Sequence, residues 1–211
     1  SENVSFRIRS NLPEGLLGIN VGPNKDTKDR IEDYLIGLRT FYDIADYITV
    51  NISSPNTENL RNFHDETKFE ELMKFIEKEK FKLKSTIPIV VKISPDIKDD
   101  QITLISEILL KYKVSAIIVS NTTEDNRENL QNAMKHQKGG LSGKPLEEKS
   151  NQLIFKFYKL LKGKIEIIGV GGVDSGKSAY NKFKAGASYV QLYTGMVFQG
   201  PNIVGKIKKE L

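Results

Sequence analysis

Residues 87–93 read IPIVVKI, an apolar run interrupted by a single lysine, Lys92. A short run of Val and Ile is typical of a strand buried on both faces of a parallel sheet. Lys92 does not suit such an interior, because burying an ammonium group without a partner is unfavourable. The run therefore predicts a strand over Ile87–Ile93, with an anionic ligand close to Lys92.

Five further apolar runs recur along the chain, with amphipathic, charged stretches between them, and this alternation is typical of repeated βα units. The polar segment Glu124–Pro145 is too long for a simple connection and is a candidate active-site loop. The six predicted strands are Leu16–Val21, Tyr47–Ile52, Ile87–Ile93, Ala116–Ser120, Ile165–Val170 and Tyr189–Tyr193. The predicted helices are Lys28–Tyr42, Lys68–Lys80, Asp99–Lys111, Leu146–Leu161 and Ser175–Ala185.

Six βα units fit two α/β architectures. An open doubly wound sheet needs no further strands, whereas a closed (β/α)8 barrel needs eight strands and about 250 residues. Length favours the open sheet, since the chain has 211 residues. Every predicted strand, however, ends in polar residues or glycines, and only a barrel points all its strand ends at one mouth. We predict the barrel, although each of these residues alone could simply end a strand.

Composition excludes several chemistries. The chain has no cysteine, which rules out thiolate catalysis, disulfides and cysteine zinc sites. Its two histidines, His64 and His136, lack a metal-ligand spacing, so no metal site is expected. The general base must then be Ser, Asp, Glu, Lys or Tyr. The net charge is +5, but the lysine-rich segment 74–84 is more typical of a solvated helix face than of a nucleic-acid footprint.

Glycine clusters in the last third of the sequence indicate a phosphate site. GVGG at 169–172 and YTG at 193–195 follow the last two predicted strands, where barrels commonly hold a phosphate. GGLSG at 139–143 can approach the same place. A cofactor that carries a phosphate is therefore expected.

A competing motif lies in the same region. GGVDSGKS at 171–178 matches the P-loop pattern, with Lys177 as its lysine. P-loop NTPases also need an acidic residue at the end of another strand to hold magnesium. None of the predicted strands ends in Asp, but binding of ATP or GTP stays open as the alternative.

Motifs along nearly the whole chain resemble those of the dihydroorotate dehydrogenases. The matching motifs are LGINVGPNK at 17–25, NISSPNT at 51–57, VKISPD at 91–96, SNTT at 120–123, GGLSGKPL at 139–146, IGVGG at 168–172, GAS at 186–188 and VQLYT at 190–194. The resemblance implies a (β/α)8 TIM barrel that binds FMN and oxidises dihydroorotate to orotate in pyrimidine biosynthesis. A barrel relative that binds FMN and acts on another substrate stays open.

The resemblance also assigns roles to individual residues. Ser54 would take the C5 proton of the substrate while flavin N5 takes the C6 hydride, and Lys92 would stabilise negative charge on the reduced flavin. The family usually has Thr where Ser120 stands, and the replacement keeps the hydroxyl. The residues implied at the flavin ring or ribityl chain are Asn20, Asn51, Lys92 and Ser120. Those implied at the FMN phosphate are Gly143, Gly172, Tyr193 and Thr194, and those at the substrate are Asn51, Asn56, Asn121 and Thr122.

Ser54 also implies the subclass, because the similar soluble enzymes carry cysteine at this position. Serine is typical of the membrane-associated class 2 enzymes, which reduce a ubiquinone-type acceptor. The resemblance implies that two βα units and a helical, membrane-contacting element precede Asn3, and that the family continues past Leu211. Residues 1–211 are thus expected to form a single, incomplete barrel domain. We expect a monomer at the inner mitochondrial membrane of a eukaryote, or at the inner face of a bacterial cytoplasmic membrane.

Overall fold

The computed structural model describes residues 2–24, 26–53, 65–125 and 127–211. Within these ranges, six parallel strands form one sheet whose spatial order is the order of the chain. The strands are β1 (Gly18–Val21), β2 (Tyr47–Asn51), β3 (Ile89–Ile93), β4 (Ala116–Val119), β5 (Glu166–Val170) and β6 (Tyr189–Gln191).

Helices connect the strands. They are α1 (Glu2–Ser10), α2 (Arg30–Phe41), α3 (Glu66–Lys82), α4 (Asp99–Lys111), α5 (Glu147–Leu161), α6 (Gly176–Ala185), α7 (Thr194–Gln199) and α8 (Ile203–Glu210). Two short 3₁₀ turns, Ala133–His136 and Lys144–Leu146, lie in the long connection between β4 and α5. No helix in the described ranges has the length and apolar character needed to cross a bilayer.

Local signals place several helix ends. Asp29 caps α2, its carboxylate accepting a hydrogen bond from the Glu32 N–H at 3.1 Å. Ser175 and Ser178 form a capping box at the start of α6. Gly186 ends the same helix with φ at 115°, a conformation that glycine adopts without strain.

The two faces of the sheet have different roles, because successive side chains of a strand point to opposite faces. On the outer face, Val91, Ile93 and Val119 are fully buried against the helices in the main core. On the inner face, Val90 and Ile118 belong to a separate, smaller apolar cluster. The inner face therefore carries a small apolar cluster, and polar side chains lie beyond it at the carboxyl ends of the strands.

This arrangement decides between the two predicted architectures. The sheet has no point at which the strand order reverses, so the doubly wound alternative is wrong. Successive helices pack against one another in chain order from α2 to α6. The architecture is that of six consecutive units of a (β/α)8 barrel, as predicted.

All six predicted strands are present, and each is shorter than predicted. The strand predicted from Ile87 begins at Ile89, after a proline that lacks a ladder donor. Tyr193, predicted to end the last strand, lies after β6 and immediately before α7. Helices α1, α7 and α8 were not predicted.

Candidate active site

A cavity of about 880 Å³ lies at the carboxyl ends of strands β3 to β6. Strand ends of a barrel converge there, which explains why residues far apart in sequence share one wall. Predicted site residues that line the cavity are Lys92, Ser120, Asn121, Thr122, Gly143, Gly172, Tyr193 and Thr194.

Lys92 is the only cation on the inner face of β3, and its side chain is half-buried. In the sheet register it lies beside Asn51 of β2 and Ile118 of β4. Burial lowers its pKa below the ordinary lysine value. Among the described residues, no carboxylate forms an ion pair with it. An anionic or electron-rich ligand would supply the missing partner, and the anionic ligand expected from the sequence stays a prediction.

The end of β2 is held by a chain of hydrogen bonds. The Ser53 hydroxyl donates to Asn51 Oδ1 at 2.5 Å and accepts from Asn121 Nδ2 at 2.9 Å. The backbone carbonyl of Asn51 accepts from the buried Tyr34 hydroxyl of α2 at 2.7 Å. Burial raises the Tyr34 pKa above its ordinary value, so this hydroxyl stays a donor at any physiological pH.

A second network fixes the strand-end loops of β3 and β4 to α5. The Asp96 carboxylate accepts from the Glu124 N–H at 2.9 Å, and also from the Thr123 hydroxyl and the Lys149 ammonium. Burial alone would raise the Asp96 pKa, but these three hydrogen bonds lower it below its ordinary value. Thr123 also pairs with Leu141 through two backbone hydrogen bonds of 3.1 and 2.6 Å. The segment 139–143 is thereby held next to Asn121 and Thr122.

Glycines form the other end of the cavity. Gly143 has φ at +80°, and a Cβ atom there would lie 3.0 Å from Thr194 Cγ2. Gly172 has φ at +77°, and a Cβ atom there would lie 2.5 Å from Glu147 Cβ. The Thr194 hydroxyl lies 3.0 Å from that of Ser142, which joins the two loops. Gly172 lies so close to the backbone of Glu147 that only glycine fits there. Both glycines line the cavity, where backbone N–H groups can form an anion-binding concavity.

The P-loop-like segment has a different role. The Gly176 N–H donates to Glu210 Oε2 at 2.6 Å, so a carboxylate of α8 already lies at the start of α6. The Ser178 hydroxyl is buried and accepts from the Asp174 and Ser175 N–H groups at 2.9 and 3.0 Å. Lys177 is exposed. This geometry is a helix cap and does not favour the nucleotide-triphosphate alternative.

Some predicted residues lie elsewhere. Asn20 is exposed on the edge strand β1, beside Thr49, and does not line the cavity. Asn51 does not line it either but is joined to Asn121 through Ser53. Ser54 and Asn56 lie outside the described residues, so their roles stay predictions.

Several residues at the site were not predicted from the sequence. Gln191 and Phe198 line the cavity, and Gln199 also lines it while donating to the Asp174 carbonyl at 2.9 Å. The inward position of Gln191 follows from strand alternation, whereas Phe198 lies on α7, a helix too short for a periodic signal. No role was predicted for Ser53, because a serine commonly follows a strand for reasons of turn formation alone.

Comparison with protein families gives one match over almost the entire chain. The family model described as "Dihydroorotate dehydrogenase" matches residues 3–211. A Wigglesworthia glossinidia brevipalpis protein named "Dihydroorotate dehydrogenase (quinone)" is 46% identical over 215 residues. A protein of the same name from Buchnera aphidicola is 45% identical over 210 residues. The chain spans about three-fifths of these relatives, 64% and 62% of their lengths, while 99% and 97% of the chain is covered.

Solved structures show the same likeness in three dimensions. The crystal structure of DHODH from Eimeria tenella in complex with ferulenol superposes with a TM-score of 0.90 at 33% sequence identity. It covers 99% of this chain, which corresponds to 61% of the Eimeria chain. The ligand-free Eimeria structure gives the same TM-score at 34% identity and 63% coverage of its chain.

Proposed function

The chain belongs to the dihydroorotate dehydrogenase family, and we propose that this protein uses FMN to oxidise dihydroorotate to orotate in pyrimidine biosynthesis. The observation that carries the proposal is Lys92, a half-buried ammonium at the cavity with no carboxylate partner among the described residues. It lines the same cavity as Gly143, Gly172 and Asn121, and the Asn121 amide is joined through Ser53 to that of Asn51. That combination suits a phosphorylated, electron-accepting cofactor beside a polar substrate.

The residues of the cavity fit FMN. Gly143 and Gly172 line the cavity without side chains, and their backbone N–H groups, with Tyr193 and Thr194, would hold the phosphate. The flavin ring and ribityl chain would lie against Lys92 and Ser120, with Asn20 and Asn51 as further proposed contacts. Bound FMN would supply the hydride acceptor.

Lys92 would contribute electrostatically to the reaction. Its positive charge lies where water is partly excluded, so it interacts more strongly with developing negative charge than it would in bulk solvent. Burial lowers the pKa of Lys92, whereas a bound anion would favour its protonated form. The charged ammonium would in turn strengthen binding of the anion.

Asparagine and threonine side chains would recognise the substrate. Asn51, Asn121 and Thr122, together with Asn56, offer neutral donors and acceptors that match ring amides and a carboxylate. Ser54 would remove the C5 proton and pass it to water, since the chain has no histidine suited to the task. Of the two adjacent serines, Ser53 has a buried hydroxyl that already donates its hydrogen to Asn51 Oδ1 and accepts from Asn121 Nδ2, which favours Ser54 for this role.

The electron acceptor would be a ubiquinone-type quinone. The support is that the bacterial relatives named above are quinone enzymes, and that position 54 is serine. We accordingly propose peripheral association with a membrane that holds the quinone, the cytoplasmic membrane in a bacterium or the mitochondrial inner membrane in a eukaryote. A monomeric state and a single domain stay predictions.

An absorbance spectrum of the full-length protein tests the proposal. We expect a flavin spectrum that bleaches on anaerobic addition of dihydroorotate and returns on addition of a ubiquinone analogue. A folded protein without flavin, or a bound flavin that dihydroorotate leaves oxidised, would contradict it. Binding of Mg-ATP that Lys177→Ala abolishes would favour the P-loop alternative.

Substitution of Ser54 tests the proposed base. Ser54→Ala should keep flavin content unchanged and slow flavin reduction about 10²-fold or more, since a positioned base typically contributes that much. Stopped-flow reduction at saturating dihydroorotate measures the rate. Ser115→Ala is the control, because Ser115 is exposed at the opposite end of the sheet, before β4. Normal reduction in Ser54→Ala would remove Ser54 as the base.

A further inference from the structure

Ser53 is a completely buried polar residue just after the end of β2, at 0% exposure. Its hydroxyl donates to Asn51 Oδ1 and accepts from Asn121 Nδ2, so it joins the end of β2 to the loop after β4. Asn51 and Ser53 are neighbours in the chain, but Asn121 is 68 positions away from Ser53. This serine is therefore a bridge between two elements that are not adjacent in the sheet.

The backbone N–H of Ser53 fixes the orientation of the Asn51 amide. Asn51 Oδ1 accepts from both the hydroxyl and the backbone N–H of Ser53, at 2.5 and 3.1 Å. A reversed amide would turn its NH₂ group towards the backbone N–H, and two donors cannot bond to each other. Oδ1 must face Ser53, and the NH₂ group of Asn51 must face away from it.

The Asn121 amide is fixed by the same logic. Its Oδ1 accepts from the Thr122 N–H at 2.9 Å, while its Nδ2 donates to Ser53 Oγ at 2.9 Å. A reversed amide would place NH₂ against the Thr122 N–H. The second hydrogen of Asn121 Nδ2 has no protein acceptor among the described residues, and neither has the NH₂ group of Asn51.

We propose that Ser53 is a positioning residue whose hydroxyl holds the Asn51 and Asn121 side chains in place, while backbone N–H groups set both amides as N–H donors. It thereby selects a ligand that presents oxygen acceptors, carboxylate or carbonyl, to both amides. This inference rests on the proposed function, in which the ligand is dihydroorotate or its product orotate. The hydroxyl of Ser53 suits the role because it donates and accepts at once, which neither a methyl nor a poorly donating thiol can do.

Orotate binding to the oxidised, full-length flavoprotein tests the inference without turnover. The flavin absorbance change on titration with orotate gives the dissociation constant. We expect Ser53→Ala and Ser53→Cys each to weaken binding about tenfold, because the two hydrogen bonds by which the Ser53 hydroxyl holds Asn51 and Asn121 are lost or weakened. Flavin content should match that of the wild-type protein. The cysteine variant fills the space of the serine and so separates lost hydrogen bonding from lost packing.

A double-mutant cycle distinguishes positioning from general destabilisation. If Ser53 acts through the asparagines, Ser53→Ala should weaken orotate binding less in an Asn121→Ala background than in the wild-type background. The matched control is Ser106→Ala, which removes another buried hydroxyl, one that donates to the Ile102 carbonyl inside α4 at 2.7 Å. This control should lower the thermal midpoint and leave orotate binding unchanged.

The possible outcomes separate the two proposals. Unchanged orotate affinity in both Ser53 variants, or purely multiplicative effects with Asn121→Ala, would overturn the inference while the proposed function stands. Loss of flavin from both variants would also overturn it, because Ser53 would then support the cofactor or the fold. A wild-type flavoprotein that neither binds orotate nor is reduced by dihydroorotate would overturn the proposed function and the inference with it.

Discussion

At the level of single residues, the site contains partly buried polar groups that lack protein partners among the described residues and that a bound ligand would pair. Lys92 lies among apolar side chains of β3, and burial lowers its pKa. The asparagine amides next to it keep N–H donors without protein acceptors in the described part of the chain. Desolvated groups of this kind lower stability and gain interaction energy when a complementary ligand binds. This pattern is typical of a binding site and unusual in a purely structural strand.

Lys92→Met tests this trade-off. The replacement keeps most of the side-chain volume and removes the charge. The apoprotein should therefore have a higher thermal midpoint, while FMN binds at least about tenfold more weakly, since an interaction with a charged group is lost. Calorimetry and the quenching of FMN fluorescence measure the two quantities. Lys177→Met, at an exposed position of α6, should change neither, and unchanged FMN affinity in Lys92→Met would contradict the role given to Lys92.

At the level of secondary-structure elements, the loop after β5 and the start of α5 approach too closely for a side chain. A Cβ atom at Gly172 would lie 2.7 Å from the Glu147 Cα atom and 2.8 Å from its backbone nitrogen. Backbone atoms of a helix start cannot move aside as a flexible side chain can. The position of α5 is in this way tied to the loop that we propose binds phosphate.

Gly172→Ala should accordingly move that loop and release FMN. Gly163→Ala is a matched control: its φ is +74° against +77° at Gly172, but a Cβ atom at Gly163 meets nothing within 4 Å. Both variants carry the strain of alanine at positive φ, about 1 kcal/mol. Only Gly172→Ala should lose FMN as well, measured as flavin content after gel filtration. Equal flavin content in the two variants would argue against the proposed cradle.

Lys182 links α5 to α6 from a fully buried position. Its ammonium donates to Asn151 Oδ1 at 2.7 Å and to the Glu147 carbonyl at 3.3 Å. Burial lowers its pKa to about 8, although the carboxylates of Glu147 and Glu148 act in the opposite direction. The folded protein therefore loses this proton at a lower pH than the unfolded chain, whose lysine keeps the ordinary value of about 10.5.

Stability should consequently depend on pH in alkaline solution. Between about pH 8 and pH 10.5 the unfolded chain binds the Lys182 proton and the folded protein does not, so this residue makes the free energy of unfolding rise with pH. Below pH 8 the full penalty of the buried charge is present. The free energy of unfolding, measured by urea unfolding across this range, should rise less with pH in Lys182→Met than in the wild-type protein. Lys184→Met, exposed on the same helix, should keep the wild-type dependence, and identical profiles for all three proteins would refute the assignment.

At the level of the whole molecule, the cavity joins strand ends and loops that are distant in sequence. Lys92, Ser120, Gly172 and Thr194 come from four successive βα units. A ligand that contacts all four adds cross-links that the folded chain alone lacks. Ligand binding should therefore stabilise the fold as a unit, because the unfolded chain cannot form the site.

FMN and riboflavin differ only in the phosphate, so they test this coupling. In the full-length apoprotein, FMN at about 100 times its dissociation constant should add about 2.7 kcal/mol of stability. Riboflavin at the same concentration should raise the thermal midpoint much less, since it cannot reach the cradle of Gly143, Gly172 and Thr194. Differential scanning calorimetry compares the two ligands. Equal shifts of the thermal midpoint would show that the phosphate contacts at Gly143, Gly172 and Thr194 do not contribute to binding.

The periodicity of the sequence alone predicted much of this molecule, because apolar runs and amphipathic stretches report local geometry. All six strands were found this way, and Lys92 stood out as a charge in an apolar run. Residue patterns could not predict α7 and α8, since helices of two turns carry too few residues for a periodic signal. The strands were predicted too long because an apolar residue beyond the end of a strand can still be buried in the core. Ile52, for example, follows β2 and is 0% exposed.

What the sequence by itself determined is the set of chemical groups available: no thiol, two histidines without a metal-ligand spacing, one lysine inside a strand, and glycines at the last strand ends. What only the tertiary structure decided is which of these groups meet. The sequential strand order excluded the doubly wound sheet, and the capping of α6 by Glu210 gave the P-loop-like segment another role. Ser53 acquired its position between Asn51 and Asn121 in the same way. The physical reason is that hydrogen bonds and steric contacts act over a few ångströms in space, whereas these residues lie tens of positions apart along the chain.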